Sequence, residues 1–307
     1  MPEPIPSSRP PFWKRFRRWF SVMALAVLVL AIYKTRPWEA GLQKVSAWPL
    51  LLGIGINLLG FIPLRALRWR VALHAPPAFI AIVAAMLEGF VAGAAIGFGA
   101  ADAVRTARLR RSLNTFGRDF GSTMAERAAE VVALSLLLLT AAFLGTVGAW
   151  AFLLAGAVAI GYVVLIAAGS RAVRLLQRWP RLAEGLRALL DASTPSRVLA
   201  MVLLSMGGWA CEVAILMLCL GAFGLPSDLG TGVLIVIGIN VVIAIPGPPA
   251  NLGTFEAGVV AALALRQVPR DAALAFAIAY HVLLSVPVMI LGGLVFAIRE
   301  LRSRRAQ

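Results

Sequence analysis

Charged residues are scarce in this sequence. Only 14% of its 307 residues are Asp, Glu, Lys or Arg, whereas 60% are hydrophobic. Soluble globular domains carry about 25% charged residues, so the composition excludes an ordinary soluble domain and indicates an integral membrane protein. Cysteine is scarce as well: Cys211 and Cys219 lie far apart along one predicted helix, beyond disulfide reach. We expect no disulfide, no metal site and no cofactor.

Acidic residues are the rarer charged type, with 14 against 29 basic residues and a net charge of +15. The basic residues cluster in connectors and tails beside apolar runs, as the positive-inside rule predicts for cytoplasmic segments. No basic motif interleaved with aromatic stacking residues is present, so nucleic-acid binding is not expected. The expected electrostatic partner is the anionic headgroup of a membrane lipid.

Apolar runs long enough to enter or cross a bilayer, about 17–25 residues, recur along the chain. Two of them break the alternation of sides that the basic connectors require. We therefore predict an all-α polytopic membrane protein with two re-entrant helical hairpins in an inverted-repeat arrangement, at 78–115 from the cytoplasm and at 231–266 from outside. The alternative that 78–101 simply crosses the membrane stays open. The six predicted full crossings are 19–34, 46–64, 121–145, 148–169, 197–222 and 272–298.

The domain organisation is predicted to be simple. Residues 1–12 form a disordered tail, 13–300 a single integral membrane domain and 301–307 a basic C-terminal tail. Basic clusters near both ends place the N- and C-termini in the cytoplasm, in a protein of the cytoplasmic (inner) membrane. The connector 171–197 is predicted to be an interfacial amphipathic helix broken at Pro180.

A polar interruption, IPGPPANLGTFEAG, separates two apolar runs near the C-terminal end. Pro249 and Gly253 predict a loop at membrane depth, which survives only where protein or a watery cavity surrounds it. Asn251 or Thr254 is predicted to cap the next helix, with Glu256 in the first turn, where the dipole favours negative charge. Such a half-helix also forms an anion site. Glu256 then either regulates binding there or pairs with a structural arginine at a hairpin tip.

The two predicted hairpins share a local pattern in which an acid follows a glycine by three residues: GAAD ends at Asp102, and GTFE ends at Glu256. Interrupted hydrophobic segments at corresponding positions of two halves point to the binding site of a transporter. Arg105, three residues after Asp102, is within reach of a bound phosphate in this interpretation.

Ionisable residues within the predicted spans are further candidates, because a charge at the bilayer centre costs about 2.5–3.5 kcal/mol on insertion scales. Glu126, Arg127 and Glu130 share a helix face by their spacing. That face fits either a proton-coupled site or an internal ion pair.

Three other ionisable residues interrupt apolar runs, and residues 65–70 form a basic cluster. Glu88 and Glu212 fit either a polar cavity or a structural hydrogen bond. His281 fits either a proton shuttle or simple packing. The cluster RALRWR, with Arg65, Arg68, Trp69 and Arg70, is predicted to anchor the chain at the membrane interface.

Four segments, in this order, resemble the lysylphosphatidylglycerol synthase transmembrane (flippase-like) family: RALRWRVAL, GAADAVR, the ER pair with Glu130, and PGPPANLGTFEAG. The resemblance extends from about residue 20 to residue 298. The first hairpin lacks the proline and first arginine of the family pattern P-x-R-x-G-E-x-x-R, and the second departs from P-G-G-x-G-x-x-E at Ala250 and Asn251. These departures imply a difference in substrate recognition. Without a soluble lysyl-transfer domain in these 307 residues, synthesis of lysylphosphatidylglycerol is not expected.

The resemblance implies a membrane module that moves a lipid, either an anionic phospholipid, a hopanoid or a polyprenyl-linked lipid, across the bilayer. Under this hypothesis Arg105 and Arg127 neutralise the headgroup, while Asp102, Glu126 and Glu256 couple its release to protonation or to re-pairing of the arginines. No Walker motif is present, so uphill movement must draw on an ion gradient or the membrane potential.

Two other functions stay open. The chain fits a non-transporting membrane partner of a lipid- or glycan-modifying complex, bound to a lipid-modifying enzyme. It also fits an intramembrane enzyme that acts on a lipid headgroup with Glu126, Glu256 or His281 as acid or base. We do not expect an enzyme, because neither a nucleophile elbow nor an H-E-x-x-H motif occurs.

Overall fold

A computed structural model of the chain describes residues 46–73, 76–97, 99–109, 116–244 and 248–305, and within these ranges the regular structure is entirely helical. The predicted crossing at 19–34 and the tail at 1–12 lie outside the described residues, as do Pro246 and Gly247. The helices are α1 (Ala47–Ala72, with a π-helical turn at Asn57–Phe61), α2 (Phe79–Ile96), α3 (Ala100–Leu109), α4 (Phe116–Phe143), α5 (Trp150–Leu175), α6 (Pro180–Ala192), α7 (Pro195–Ala222), α8 (Leu229–Ile243), α9 (Thr254–Ala264) and α10 (Arg270–Arg305).

Five of the described helices, α1, α2, α5, α7 and α10, contain stretches long and apolar enough to cross a membrane. The protein is therefore a multi-pass membrane protein. Helix α4, which covers the predicted crossing at 121–145, is 28 residues long but carries Glu126, Arg127 and Glu130. Helix α2 also has the length of a membrane span, so its length alone does not separate the predicted hairpin from a simple crossing.

Helices α1 and α7 pack antiparallel at the centre of the fold. A methyl group on Gly53 would lie 3.2 Å from Ile215 Cγ2, and one on Gly60 would lie 3.1 Å from Cys211 Sγ. The start of α1 is therefore beside the end of α7, and the end of α1 is beside the start of α7. The main core cluster consists mostly of residues on α4 and α7–α10.

Two helical hairpins are present at the predicted positions. In the first hairpin, α2 and α3 approach so closely that a Cβ on Gly89 would lie 2.8 Å from the carbonyl oxygen of Ala101. In the second, α8 and α9 cross where a Cβ on Gly238 would lie 2.6 Å from the carbonyl oxygen of Gly258. Small residues at such crossings allow backbones to pack closely, as in membrane helix pairs generally.

The hairpins start from opposite ends of α7, and their tips meet. Helix α2 follows α1 and so begins beside the start of α7, whereas α8 follows the end of α7. A Cβ on Gly97, at the first tip, would lie 3.6 Å from the nitrogen of Pro249 at the second. Helices of 18 and 15 residues measure about 27 and 22 Å, against about 42 Å for the 28 residues of α7. The leading helix of each hairpin is therefore shorter than α7.

The basic connector at 171–197 is helical on both sides of a break, as predicted. Helix α5 continues to Leu175, a 3₁₀ turn follows at Leu176–Arg178, and α6 begins at Pro180, which occupies its first turn. Ala183, Ala188 and Ala192 of α6 are buried. Helix α6 therefore has a face covered by protein, and its interfacial position remains a prediction.

Candidate functional site

The most buried charged group in the described chain is Glu126, and it joins three helices. Its side chain is 1% exposed. Arg68 of α1 donates to Glu126 Oε1 from Nη2 at 2.8 Å and from Nε at 3.2 Å. Nη2 of Arg105, on α3, lies 2.7 Å from Glu126 Oε2. The carboxylate is therefore held by one arginine from the central helix pair and one from the first hairpin.

Arg127 extends this ion network toward the accessible side of α4. Its Nη2 donates to both oxygens of Asp102 at 2.9 and 3.1 Å, and its Nη1 donates to Glu130 Oε2 at 2.8 Å. Asp102 also pairs with Arg105 at 3.0 Å. The side chain of Arg127 is 43% exposed, so this arginine is the one in the network that a ligand reaches most easily.

Arg65 is the most weakly paired arginine of the network. Its nearest acid is Glu130, with 3.7 Å between Nη2 and Oε1. Two aromatic rings accompany its guanidinium, Phe61 at 5.3 Å and Phe90 at 5.8 Å from Cζ to the ring centre. Such contacts stabilise a cation but do not neutralise it. Among the described residues, the network contains four arginines, Arg65, Arg68, Arg105 and Arg127, and three acids, Asp102, Glu126 and Glu130.

The predicted interfacial anchor is wrong for Arg68 and Trp69. Both are buried, at 2% and 1% exposure, whereas Arg70 is exposed. Arg68 also donates to Ser205 Oγ at 3.0 Å, and the Trp69 ring packs under the Arg105 guanidinium at 4.6 Å. The physical reason is the acidic face of α4: a guanidinium enters the protein interior where carboxylates satisfy it.

Glu88, next to the crossing glycine Gly89 of the first hairpin, forms a separate ion cluster. It is 3% exposed and receives Arg299 Nη1 at 3.1 Å, and Arg108 Nε contacts its other oxygen. Helices α2, α3 and α10 are thereby joined by one carboxylate. Of the two uses foreseen for Glu88, the contacts favour the structural one, although through ion pairs rather than a simple hydrogen bond.

The second hairpin contains an acid–histidine pair next to its tip. Glu256 Oε1 lies 2.7 Å from His281 Nδ1, and Oε2 accepts the N–H of Gly253 at 2.7 Å. His281 stacks on Phe255 with ring centres 4.3 Å apart. Glu256 and His281 are 4% and 8% exposed. The carboxylate therefore fills the N-terminus of α9, where an anion was expected to bind.

The predicted caps of α9 are wrong. Neither Asn251 nor Thr254 caps the helix through its side chain; the Thr254 hydroxyl instead donates to the Asn251 carbonyl at 2.9 Å. Glu256 reaches back to Gly253 and takes over this role, because a carboxylate at the third helical position matches the N-cap amide. Pro249 and Asn251 lie in a 3₁₀ turn at the tip.

Glu212 lies near the ion network without pairing in it. It is 8% exposed on α7 and interacts electrostatically with Arg65 and Glu130, but among the described residues it makes no hydrogen bond or ion pair. No group of three or more His, Cys, Asp or Glu side chains within the described ranges could hold a metal ion.

The structure thus sorts the predicted site residues into groups. Whether any of them binds a ligand remains a prediction. Sequence reasoning assigned no site role to Arg65 and Arg68, whose i, i+3 spacing marks a shared helix face, nor to Ser205, Arg108 and Arg299. One group holds Asp102, Arg105, Glu126, Arg127 and Glu130; a second holds Gly253, Glu256 and His281; Glu88 pairs elsewhere, Glu212 lies near the first group without an ion pair, and Pro249 and Asn251 lie at the second tip.

The fold and these clusters define a helical membrane protein with a buried charge cluster beside each of two helical hairpins. Residues 19–292 match the family described as lysylphosphatidylglycerol synthase TM region, and the chain belongs to this family. Neither a curated protein nor a solved structure gives a significant match.

Proposed function

We propose that this protein is a flippase-like transporter that moves an anionic or isoprenoid-type lipid across the cytoplasmic membrane. The observation that carries the proposal is the meeting of two hairpin tips, Gly97 against Pro249, beside a largely buried network of paired arginines and acids. Irregular backbone at membrane depth is tolerated where it lines a site. Family membership supports a lipid-related role in the membrane.

Under this proposal the hairpins are re-entrant, with the basic ends of α1 and α10 in the cytoplasm. The tips then meet inside the bilayer, because α2 and α8 approach from opposite sides and each is shorter than α7. A lipid headgroup enters the polar space near the tips while its acyl chains stay in the surrounding lipid.

Arginine re-pairing provides the chemistry for binding and release. Arg127 is shared between Asp102 and Glu130, and Arg105 between Asp102 and Glu126. A lipid phosphate that reaches Arg127 replaces one carboxylate contact and leaves the other, so the arginine is never without an anion. Such an exchange avoids the large cost of an unpaired buried charge.

The Glu256–His281 pair gives the second hairpin a proton-binding element. Histidine is the side chain whose ordinary pKa lies nearest physiological pH, and its contact with Glu256 at 2.7 Å links its charge to the cap of α9. Proton uptake and release at this pair would couple movement of the second tip to a proton gradient.

The decisive experiment measures lipid movement in proteoliposomes under an imposed pH gradient. Fluorescent phosphatidylglycerol and a polyprenyl phosphate are compared in the natural protein and in Glu256→Gln. The control is Asp271→Asn, an equivalent change at an exposed acid in the first turn of α10. We expect movement of at least one lipid in the natural protein and the control, and its loss in Glu256→Gln.

Other outcomes separate the remaining functions. Absence of movement with either lipid, in protein shown to be folded, would favour a non-transporting partner of a lipid-modifying complex. Chemical conversion of the lipid by pure protein would identify an enzyme.

The re-entrant arrangement has its own test. Single cysteines are introduced at Ala107, near the base of the first hairpin, and at Gln267, after the second, in a chain with Cys211 and Cys219 replaced by alanine. Both positions are exposed. We expect the first to label from the cytoplasm and the second from outside; the reverse at either position would reject the arrangement.

A further inference from the structure

Helix α10 contributes one residue to a charge cluster of each hairpin. Nδ1 of His281 lies 2.7 Å from Oε1 of Glu256 in the second hairpin, and Nη1 of Arg299 lies 3.1 Å from Oε1 of Glu88 in the first. Along the helix, His281 and Arg299 are about 27 Å apart at 1.5 Å per residue. Helix α10 is therefore a physical connection between the two clusters.

Pro287 interrupts α10 between these two contacts. Proline has no N–H, so the carbonyl of Leu283, four residues earlier, has no backbone donor within the helix. Phe276 and Tyr280, before the break, belong to the main core cluster, whereas Val288, just after it, belongs to a small cluster with residues of α1 and α2. The two halves of α10 are therefore held by different parts of the protein.

The half before Pro287 is held against the second hairpin by stacked rings. Phe255 of α9 stacks on His281 with ring centres 4.3 Å apart and on Tyr280 with ring centres 5.9 Å apart. A change of charge at His281 therefore acts on the surface that joins this half to α9.

The titratable groups near His281 come from three helices. Glu256 faces it from α9. Glu212 and Cys219 of α7 interact electrostatically with Tyr280, the residue next to His281 on α10. Helix α1 contributes no such group at this level, since it is uncharged before the cluster RALRWR. Glu256 is thus the direct partner of a proton at His281.

The half after Pro287 is held against the first hairpin. A Cβ on Gly292 would lie 2.5 Å from the carbonyl oxygen of Leu87, so the backbones of α10 and α2 are in close contact. The guanidinium of Arg108, on α3, lies 5.4 Å from the ring centre of Phe296. This half therefore follows the first hairpin.

Helix α1 runs beside the break and packs on both sides of it. Before the break, the side-chain amide of Asn57 donates to the Leu284 carbonyl at 3.2 Å, and Asn57 is 4% exposed. After the break, Ile62 and Val288 belong to the same small cluster. The π-helical turn Asn57–Phe61 begins at the hydrogen-bonded residue, and such turns inside α-helices are frequent at functional sites. Helix α1 thus spans the interruption in α10.

We propose that Asn57 is a positioning residue that holds the two halves of α10 together and so couples the Glu256–His281 pair to the Glu88 ion cluster. A helix kinks at proline, and bending at Pro287 lets each half move with its own hairpin. The hydrogen bond from α1 restrains this bending. Interhelical hydrogen bonds in membranes are modest in strength, so the restraint is reversible. The inference rests on the proposed function for the role of the proton and adds the path by which the first hairpin responds to it.

The test measures proton binding at His281 by nuclear magnetic resonance. The chain has two histidines, so isotope-labelled histidine in a His74→Gln background reports on His281 alone. The full-length protein in lipid nanodiscs is titrated with acid, with and without Glu88→Gln or Arg299→Gln. These two substitutions break the same ion pair but change the charge in opposite senses. Arg302→Gln, at an exposed position of the same helix, is the matched control.

We expect Glu88→Gln and Arg299→Gln to move the titration midpoint of His281 in the same direction. The shift should be about 0.7 pH unit or more, because coupled sites typically change each other's affinity by about fivefold or more. A direct electrostatic effect would instead move the midpoint in opposite directions, since one variant removes a negative charge and the other a positive charge. Arg302→Gln should leave the midpoint unchanged.

The role of Asn57 is tested in the same titration. In a chain that carries Asn57→Leu, Arg299→Gln should no longer move the midpoint, because the halves of α10 then bend independently. Pro287→Ala added to that chain should restore the shift, since an uninterrupted helix needs no restraint. Circular dichroism and size exclusion establish that each variant is folded, and Asn57→Ala replaces Asn57→Leu if the larger side chain prevents folding.

Shifts in opposite directions, no shift in either variant, or an equal shift in Arg302→Gln would overturn the coupling, and so would an absence of titration at His281. A shift that survives Asn57→Leu undiminished, or that Pro287→Ala fails to restore, would overturn the role of Asn57. Coupling in a protein that moves no lipid would reject the transport proposal and leave this inference standing. Lipid movement without coupling would do the reverse.

Discussion

The return turns of the two hairpins have similar backbones but hold their acids in different ways. Gly99 and Gly253 have φ of 78° and 83°, values that glycine adopts without strain, and each directly precedes the returning helix. Asp102 and Glu256 are each the third residue of that helix. Asp102 turns outward to two arginines, whereas Glu256 caps its own helix and contacts a histidine.

This difference separates a system of fixed charges from one that contains a histidine. Arginine keeps its charge at all physiological pH values, so the cations of the network around Glu126 are permanent. Histidine is the residue type whose ordinary pKa lies nearest physiological pH. The proposed function therefore assigns ligand exchange to the first hairpin and proton coupling to the second.

The largest effect is expected from Glu126→Gln. The substitution removes the counterion that Arg68 and Arg105 share and leaves each with one acid, Glu130 at 3.4 Å and Asp102 at 3.0 Å. Loss of a buried partner costs about 3–5 kcal/mol when nothing replaces it, so we expect a cost near the lower end of that range. The free energy of unfolding in detergent, compared with that of Asp271→Asn, measures the loss. A cost below that of the Glu256 variant would contradict the assignment of the fixed charge system to the first hairpin.

The second-largest effect on the free energy of unfolding is expected from glycine substitutions at the two hairpin crossings. A Cβ on Gly258 would lie 2.7 Å from the carbonyl oxygen of Gly238, and one on Gly89 would lie 2.8 Å from that of Ala101. Because backbone must shift in both cases, Gly→Ala should cost about 1–3 kcal/mol at each site. Gly156, with no atom within 4 Å of an added Cβ, is the control, and its alanine variant should be slightly more stable. If alanine destabilised the protein at only one of the two crossings, the two hairpins would not share the same close helix packing.

Loss of the capping charge should have a smaller effect. Glu256→Gln keeps the size of the side chain and an acceptor for Gly253 but loses the charge beside His281, so we expect a cost of about 1 kcal/mol in unfolding free energy. Asp102→Asn is the corresponding change in the first hairpin. It should cost less, because Arg105 and Arg127 each retain another acid. A larger loss of unfolding free energy in Asp102→Asn than in Glu256→Gln would contradict the proposed difference between the two hairpins.

The smallest effect concerns Asp228, which caps the start of α8. Partial burial alone would raise its pKa, but hydrogen bonds from Thr231 and the nearby Arg266 guanidinium outweigh it and lower the pKa to about 2. Because the folded pKa lies below the unfolded value of about 3.9, the contribution is complete above that value and is lost as pH falls toward 2.

The side chain of Asp228 is 50% exposed, so screening by solvent keeps this contribution below about 1 kcal/mol. Thermal unfolding of the natural protein and of Asp228→Asn, measured from pH 5 to pH 2, should therefore converge at the acidic end. A constant difference across this range would exclude the ionic contribution.

The sequence predicted the hairpins because their signals are local. Glycine and proline at the turns and basic residues at the bases are read within short segments, and Glu126, Arg127 and Glu130 share a face by spacing alone. The partner of Glu126 was not predictable in this way. Arg68 is 58 residues away, and its contact depends on how α1 packs against α4, which no local pattern specifies.

The same reasoning explains the error at Arg68 and Trp69. Arginine and tryptophan near the end of an apolar run are typical of a membrane interface, and only the acids of α4 make burial of this arginine favourable. The caps of α9 failed for a related reason, since Asn251 and Thr254 are intrinsically good caps and Glu256 displaced them by its position in the turn.

The contact between Gly97 and Pro249 also bears on the kinetics of the molecule. Proline has no N–H to donate, and the Gly97 amide and carbonyl are already bonded within the first hairpin, to Gly93 at 2.8 Å and Ala100 at 3.1 Å. Pulling these two residues apart therefore breaks no hydrogen bond and costs only weak dispersion contacts, about 0.1–0.2 kcal/mol for each atom pair. Separation at this point would therefore leave the hydrogen bonds of both turns intact.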